Sequence, residues 1–227
     1  MADLPFTFTN PAIASRLARL VDCDGKIPRV IAELGEIAGR DVVVLRTNGR
    51  LRAAQLRAFH AHVKASADDG QELPAGCADV VVRYWGESGA VAAPDRAAMA
   101  AAERLLRPDG RLLMVMDYGR DDVARLRPEG ETPEIYRALR ARDAQYVAQG
   151  FKLRVIHGWW QFDSLDEAAQ FLPEAFGDRG QRVASEMRRP RLSHKVVIYH
   201  RGMTGATGAA DRVGTVASAG AGAGATR

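Results

Sequence analysis

Polar and aromatic side chains follow three predicted strands of this sequence, at the points where the strands end. Short apolar runs at residues 42–45, 78–83 and 112–116 predict the strands. The carboxyl ends of parallel strands meet at one edge of a sheet, and ligands bind there, so these side chains are candidate binding residues. They are Arg46, Thr47, Asn48 and Gly49 after the first strand, Tyr84 and Trp85 after the second, and Asp117 and Tyr118 after the third.

Carboxylates near these strand ends are candidates for acid-base or binding roles. Asp68 and Asp69 precede the second strand, and Asp117 ends the third. Asp117 could serve as a general base in a cleft. It could equally cap the turn after its strand, and the sequence leaves both interpretations open.

Other chemistries find less support in the residues. His60 and His62 would face the same side of a strand, but no third ligand is evident, so we predict no metal site. The stretch "GESG" at residues 86–89 differs from a hydrolase nucleophile elbow, and no P-loop motif occurs. Trp159 and Trp160 could stack on an aromatic ligand or could belong to the core.

Positive charge concentrates near the end of the predicted domain. The chain has a net charge of +4, but residues 179–201 alone carry +6. This segment could bind nucleic acid, or it could be a solvated loop. Its seven basic residues are Arg179, Arg182, Arg188, Arg189, Arg191, Lys195 and Arg201, against Glu186.

Composition indicates one globular domain with a polar tail. Hydrophobic residues make up 47% of the 227 residues, which suffices for a full core. Two cysteines without a CxxC pair, no signal-peptide pattern and no run of ~20 apolar residues lead us to expect a cytoplasmic location, without membrane association. We expect N-terminal helices over residues 1–40, an α/β domain over 41–201 and a disordered Gly/Ala-rich tail over 202–227.

Predicted strands and helices alternate between residues 41 and 150. This alternation implies right-handed βαβ crossovers and therefore an α/β fold with a doubly wound, mostly parallel Rossmann-like sheet. "RPDG" at residues 107–110 predicts a tight turn between a helix and a strand. Local signals also predict helix limits: starts at Asp24 and Pro94, ends at Gly39 and Gly177.

The stretch "DGQELPAGCADVVVRYWG", a following helix and "AERLLRPDGRLLMVMDYGR" resemble the second half of a class I S-adenosylmethionine-dependent methyltransferase. The resemblance implies the fold of that family and S-adenosylmethionine as cofactor. It places Asp68 or Asp69 at the acid that accepts a hydrogen bond from the adenine amino group. It places Tyr84 and Trp85 where a strand end meets the methionine part and the substrate.

The sequence departs from the family pattern in two places. The family's glycine-rich loop should stand at Thr47, Asn48 and Gly49, but only one glycine is present and Arg46 stands near the position of the usual acid. Only 23 positions separate Leu45 from Asp68, which is too short for two crossovers of at least ~10–12 residues each. We therefore expect that one strand–helix unit is missing.

The sequence supports two functional hypotheses. In the first, the protein is a methyltransferase that acts on a small-molecule acceptor, with Asp117 and Tyr118 shaping the substrate side and catalysis arising mostly from positioning. In the second, the fold persists without a cofactor site, and the protein is a binding module that contacts nucleic acid through residues 179–201.

Overall fold

The computed structural model describes residues 4–47, 50–85, 95–128 and 130–203. Predictions for Asn48, Gly49, Pro94, the "GESG" stretch and the tail from residue 204 lie outside these ranges. The elements, in chain order, are α1 (Pro11–Leu20), α2 (Lys26–Gly35), β1 (Asp41–Leu45), α3 (Arg50–Arg57), β2 (His62–Ala65), β3 (Ala78–Tyr84), α4 (Arg96–Leu105), β4 (Leu106–Asp117), a 3-10 helix (Asp122–Leu126), α5 (Pro133–Ala148), β5 (Lys152–Gln161), α6 (Leu165–Glu186) and β6 (Arg191–Gly202).

The six strands form one sheet in the order β2-β1-β3-β4-β6-β5. The first four strands are parallel, whereas β6 runs antiparallel to both β4 and β5. Val42 to Leu45 of β1 are all buried, as expected for a parallel strand covered on both faces. The predicted α/β fold with a doubly wound, mostly parallel Rossmann-like sheet is therefore confirmed.

Helices cover both faces of the sheet. Apolar residues of α1, α2, α3 and α6, such as Leu17 and Phe171, pack on one face. Met99 of α4 and Tyr146 of α5 pack on the other. The chain leaves β1 toward β2 on one side and leaves β3 toward β4 on the other, so right-handed crossovers place α3 and α4 on opposite faces.

The connection between β2 and β3, residues 66–77, contains no helix. This short connection agrees with the predicted loss of one strand–helix unit. Its close packing depends on Gly70, which has φ +73°. A Cβ atom at Gly70 would lie 2.8 Å from Leu105 Cδ1 and 3.1 Å from Leu45 Cδ2.

Two predicted limits of α2 are wrong. Asp22, not Asp24, caps the helix, because its buried carboxylate accepts hydrogen bonds from the backbone N–H groups of Lys26 (2.8 Å) and Ile27 (3.0 Å). The helix ends at Gly35, with Glu36 in the left-handed region at φ +50°. Gly39 instead lies in the turn before β1.

One further prediction needs correction because longer-range contacts override the local signal. "RPDG" does not form a tight turn between elements but an irregularity within β4, where Arg107 forms ion pairs with Asp79 at 2.8 Å and Asp41 at 2.7 Å. The predicted helix end at Gly177 agrees with the structure, because Gly177 has non-helical backbone angles (φ +58°, ψ −138°) at a kink that separates two helical stretches of α6. No helix within the described ranges is long and apolar enough to cross a membrane.

The two acids before α2 allow a matched stability test. We expect Asp22→Ala to lower the free energy of unfolding by about 1–3 kcal/mol, because it leaves two buried backbone donors without their acceptor. Asp24→Ala removes an exposed carboxylate and should change it by less than about 0.5 kcal/mol. Urea denaturation measures both, and equal losses would contradict the assignment of the cap.

Candidate functional site

The carboxyl ends of β1 and β3 border the point where the chain reverses its direction across the sheet. In doubly wound sheets this point forms the ligand-binding crevice. Arg46 and Thr47 follow β1, while Arg83 and Tyr84 end β3, with Trp85 next in the chain. We call this place, together with Asp69, the switch crevice.

Asp69 joins the two sides of the switch crevice. Its carboxylate oxygens lie 3.3 and 3.2 Å from Nε and Nη2 of Arg46, and Oδ1 lies 3.3 Å from Nε of Arg83. Burial by itself would raise the pKa of Asp69, but the hydrogen bond from Arg46 and the charges of both arginines outweigh it and hold this pKa below its ordinary value. Asp69 is therefore a carboxylate at neutral pH.

Asp68 has a different role in the same loop. Its Oδ1 accepts hydrogen bonds from Ser66 Oγ at 2.7 Å and from the Gly70 N–H at 2.7 Å. The hydrogen bond from Ser66 is the main cause of its lowered pKa. Asp68 is exposed and organises its own loop, so the structure separates two acids that the sequence could not distinguish.

A buried arginine packs beneath the switch crevice. Arg52 of α3 is 0% exposed, and its guanidinium lies 5.5 Å from the ring centroids of both Tyr84 and Trp85. Tyr84 and Trp85 are themselves buried, as is Thr47. The predicted residues thus lie at one place, but most of their surface is in contact with the protein.

Asp117, also buried, is the centre of a polar cluster behind Trp85. Trp85 Nε1 donates to Asp117 Oδ1 at 2.8 Å, and His194 Nε2 lies 3.1 Å from the same oxygen. The Arg127 guanidinium forms an ion pair with Oδ2. Both carboxylate oxygens of Asp117 therefore already have partners within the protein. This arrangement favours a structural role for Asp117 over that of a general base.

The tautomer of His194 follows from its neighbours. Trp160 Nε1 can only donate, and it lies 3.3 Å from His194 Nδ1. Nδ1 must accept this hydrogen bond, so the proton of the neutral ring is on Nε2 and points to Asp117. Burial lowers the pKa of His194 to about 4, so the ring is neutral at pH 7.

The remaining candidates differ in their burial and position. Tyr118 is half-buried, with the Arg120 guanidinium 5.6 Å from its ring centroid. Trp160 is fully buried, so it cannot stack on a ligand, whereas Trp159 is partly exposed. His60 precedes β2 rather than lying on a strand with His62, and it has φ +63°.

No group of three or more His, Cys, Asp or Glu side chains suited to a metal ion occurs among residues 4–47, 50–85, 95–128 and 130–203. The basic segment 179–201 is divided among α6, a loop and β6. Arg201 pairs with Glu103, and Lys195 Nζ donates to the Arg120 carbonyl at 2.8 Å. The segment therefore does not form one continuous basic strip.

Sequence reasoning missed three residues of this region, Arg52, Arg127 and His194. An arginine on a helix usually indicates a solvated face, and a histidine on a strand shows no burial signal of its own. The pattern "RLRAAQL" contained a weak signal of burial for Arg52, because Arg52 lies on the helix beside Ala53 and Leu56, which are both buried.

No protein-family model matches the chain, and no curated protein matches its sequence. Solved structures match at 12–16% identity. An S-adenosylmethionine-dependent methyltransferase from Aquifex aeolicus is 13% identical, covers 87% of this chain and 100% of its own, and has a TM-score of 0.46. The YcgJ protein of Bacillus subtilis is 12% identical, covers 78% of this chain and 97% of its own, and has a TM-score of 0.46. A third protein is described as a methyltransferase from an antibiotic biosynthesis pathway of Anabaena variabilis. It is 12% identical, covers 80% of this chain and 98% of its own, and has a TM-score of 0.48.

The strand order and the helices on both faces show a doubly wound α/β fold. At these identities the likeness concerns the fold alone, and function has to be argued from the residues of the site.

His194 predicts a specific pH dependence of stability. Its pKa falls from 6.5 in the unfolded chain to about 4 in the fold, so between these values the unfolded state binds the extra proton and the free energy of unfolding decreases as pH falls. Burial raises the pKa of Asp22 and Asp121, which act in the opposite direction. Comparing the pH dependence of the free energy of unfolding between the wild type and a His194 variant isolates the contribution of His194.

We expect the wild type to lose about 2 kcal/mol more than His194→Gln between pH 6.5 and about pH 5. Glutamine can still accept from Trp160 and donate to Asp117. His62→Gln, at an exposed position, is the control and should keep the wild-type slope. Parallel slopes for wild type and His194→Gln in urea denaturation would show that His194 does not titrate as its burial requires.

Proposed function

We propose that the protein binds S-adenosylmethionine at the switch crevice and transfers its methyl group to a small-molecule acceptor. The bound cofactor would supply an electrophilic methyl group on a sulfonium, which passes to a nucleophile and leaves S-adenosylhomocysteine. The observation that carries the proposal is the position of Asp69 between Arg46 and Arg83, at the ligand crevice of a methyltransferase-like sheet.

These residues fit the two polar ends of the cofactor. A guanidinium binds a carboxylate through two parallel hydrogen bonds, so Arg46 would hold the methionine carboxylate. Asp69 keeps oxygen lone pairs beyond its bonds to the arginines and would accept from the adenine amino group. Trp85 is fixed by Asp117 and would form an apolar wall beside them.

The charge of the crevice predicts which adenosyl ligand binds better. Two guanidinium groups and one carboxylate leave a local charge of +1, counting Arg46, Arg83 and Asp69. S-adenosylmethionine carries one more positive charge than S-adenosylhomocysteine. Arg46 repels the sulfonium, so the homocysteine form should bind more tightly.

A second function is favoured by the same ion pairs. Asp69 is already bound to both arginines, and Arg52 already covers Tyr84 and Trp85. A crevice whose polar groups bind one another needs no ligand for its stability. In this alternative the fold is a catalytically inactive binding module, and basic residues of segment 179–201 would contact nucleic acid.

Ligand titration separates the two functions. A ligand present at 100 times its Kd should stabilise the protein by about 2.7 kcal/mol, which corresponds to a melting temperature higher by about 5–10 °C. We expect this shift for both adenosyl ligands, at lower concentration for S-adenosylhomocysteine. Methionine and adenosine given separately are the controls. The absence of a shift at millimolar concentrations of either adenosyl ligand would refute the proposal.

Charge variants test the assignment of residues. Arg46→Glu replaces the repelling charge with the acid usual for the family, so it should change the ratio of the two affinities by about tenfold in favour of S-adenosylmethionine. Asp69→Asn should lower the affinity for both ligands, while Asp68→Asn should leave both affinities within about twofold of the wild-type values. Calorimetric titration gives these values. Equal effects of the two aspartate variants would contradict the adenine assignment.

A further inference from the structure

A groove separate from the switch crevice lies between the end of α6, the 3-10 helix and the start of β6. It has a cavity volume of about 340 Å³, within the size range of small-molecule sites. Four arginines and Trp159 contribute to its lining. We call it the arginine groove, defined by Arg125, Arg188, Arg189, Arg191 and Trp159.

The acids of the arginine groove are already engaged. Glu186 forms an ion pair with Arg125. Asp122 accepts hydrogen bonds from the backbone N–H of Ser193 at 2.8 Å and from its hydroxyl at 2.7 Å. The Glu186 charge is thus paired with Arg125, whereas Asp122 keeps its negative charge because both of these donors are neutral.

The excess positive charge belongs to three side chains. Arg188 and Arg189 are exposed, and within the described part of the chain neither forms an ion pair. The Arg191 guanidinium lies 4.3 Å from the ring centroid of Trp159, which fixes its plane beside the groove. These three arginines thus form no ion pair within the ranges that the structure describes. With all four arginines and both acids of the lining counted, the groove has a net charge of +2.

Hydrogen bonds hold the loop that carries these arginines in place. The Pro190 carbonyl accepts from the Phe162 N–H at 2.9 Å and from Gln161 Nε2 at 3.1 Å. Val183 and Leu192 are buried beneath the loop and form an apolar floor. A preorganised loop loses less conformational entropy when a ligand binds.

We infer that the arginine groove binds a small molecule that carries a carboxylate or phosphate group on an apolar body. Guanidinium groups bind both oxyanions in bidentate geometry. The apolar floor would cover the body of the ligand. A nucleic acid would need a longer track of charge, but Lys195 and Arg201 of the same segment point to partners elsewhere. This inference does not depend on methyl transfer.

The test uses the full chain with phenyl phosphate and benzoate as probes. Benzyl alcohol serves as the neutral analogue, inorganic phosphate as the anion without an apolar body, and a ten-nucleotide RNA as the alternative partner. Trp159 is partly exposed in the groove, so quenching of its fluorescence reports binding, with calorimetry as the second measurement. We expect phenyl phosphate or benzoate to bind more tightly than either benzyl alcohol or inorganic phosphate.

A pair of double variants locates the site. The double variant Arg188→Ala with Arg189→Ala should lower the affinity for the tighter-binding probe by about tenfold or more. Arg179→Ala with Arg182→Ala removes the same charge from α6, outside the groove, and should change binding by less than about twofold. Melting temperatures confirm that both variants fold.

Three results would overturn the inference. They are the absence of binding by either aromatic anion, equal losses in the two double variants, and binding of the RNA without binding of the small anions. The last result would assign the arginines to a nucleic-acid surface instead. Binding of inorganic phosphate as tight as that of phenyl phosphate would remove the apolar body from the proposal.

Discussion

The carboxyl edge of this sheet depends on the burial of one carboxylate. Asp117 ends β4 with 3% of its surface exposed, and a buried charge without partners costs several kcal/mol. Its partners come from three other parts of the chain: Trp85 after β3, Arg127 after the 3-10 helix and His194 on β6. Meeting this requirement fixes how these segments lie against one another. The ordered arrangement of the site follows from the same contacts.

Local signals predicted the elements where the determining atoms are close in sequence. Thr132 caps α5 and Pro133 begins it, and Ser164 caps α6 by accepting from the Glu167 N–H, so the determining residues of both starts lie within four positions of each other. The failures have longer-range causes. Asp22 and Asp24 are equivalent in sequence, and only burial against the rest of the fold selects Asp22. The insertion of β6 between β4 and β5 depends on pairing across the whole sheet, which no local pattern contains.

The location of the candidate site was predictable because topology brings the strand ends to one edge. The partners of its residues were not. Asp69 meets Arg46 and Arg83, which are 23 and 14 residues away in the chain, and only the fold makes these contacts. The sequence placed Arg46 near the position of the family's usual acid, but it did not show that Asp69 would counter the charge of Arg46. The Asp69 carboxylate thus lowers the positive charge near Arg46, so a cation in the crevice is repelled less than Arg46 alone would suggest.

Positive charge is shared by two places on this edge, but its compensation differs. In the switch crevice, Asp69 neutralises part of the charge of Arg46 and Arg83, and the remaining field is small and local. In the arginine groove, the acids are engaged with other groups and the charge faces solvent. The groove has the larger net charge, +2 against +1, but solvent screens its exposed arginines more strongly than the partly buried arginines of the crevice.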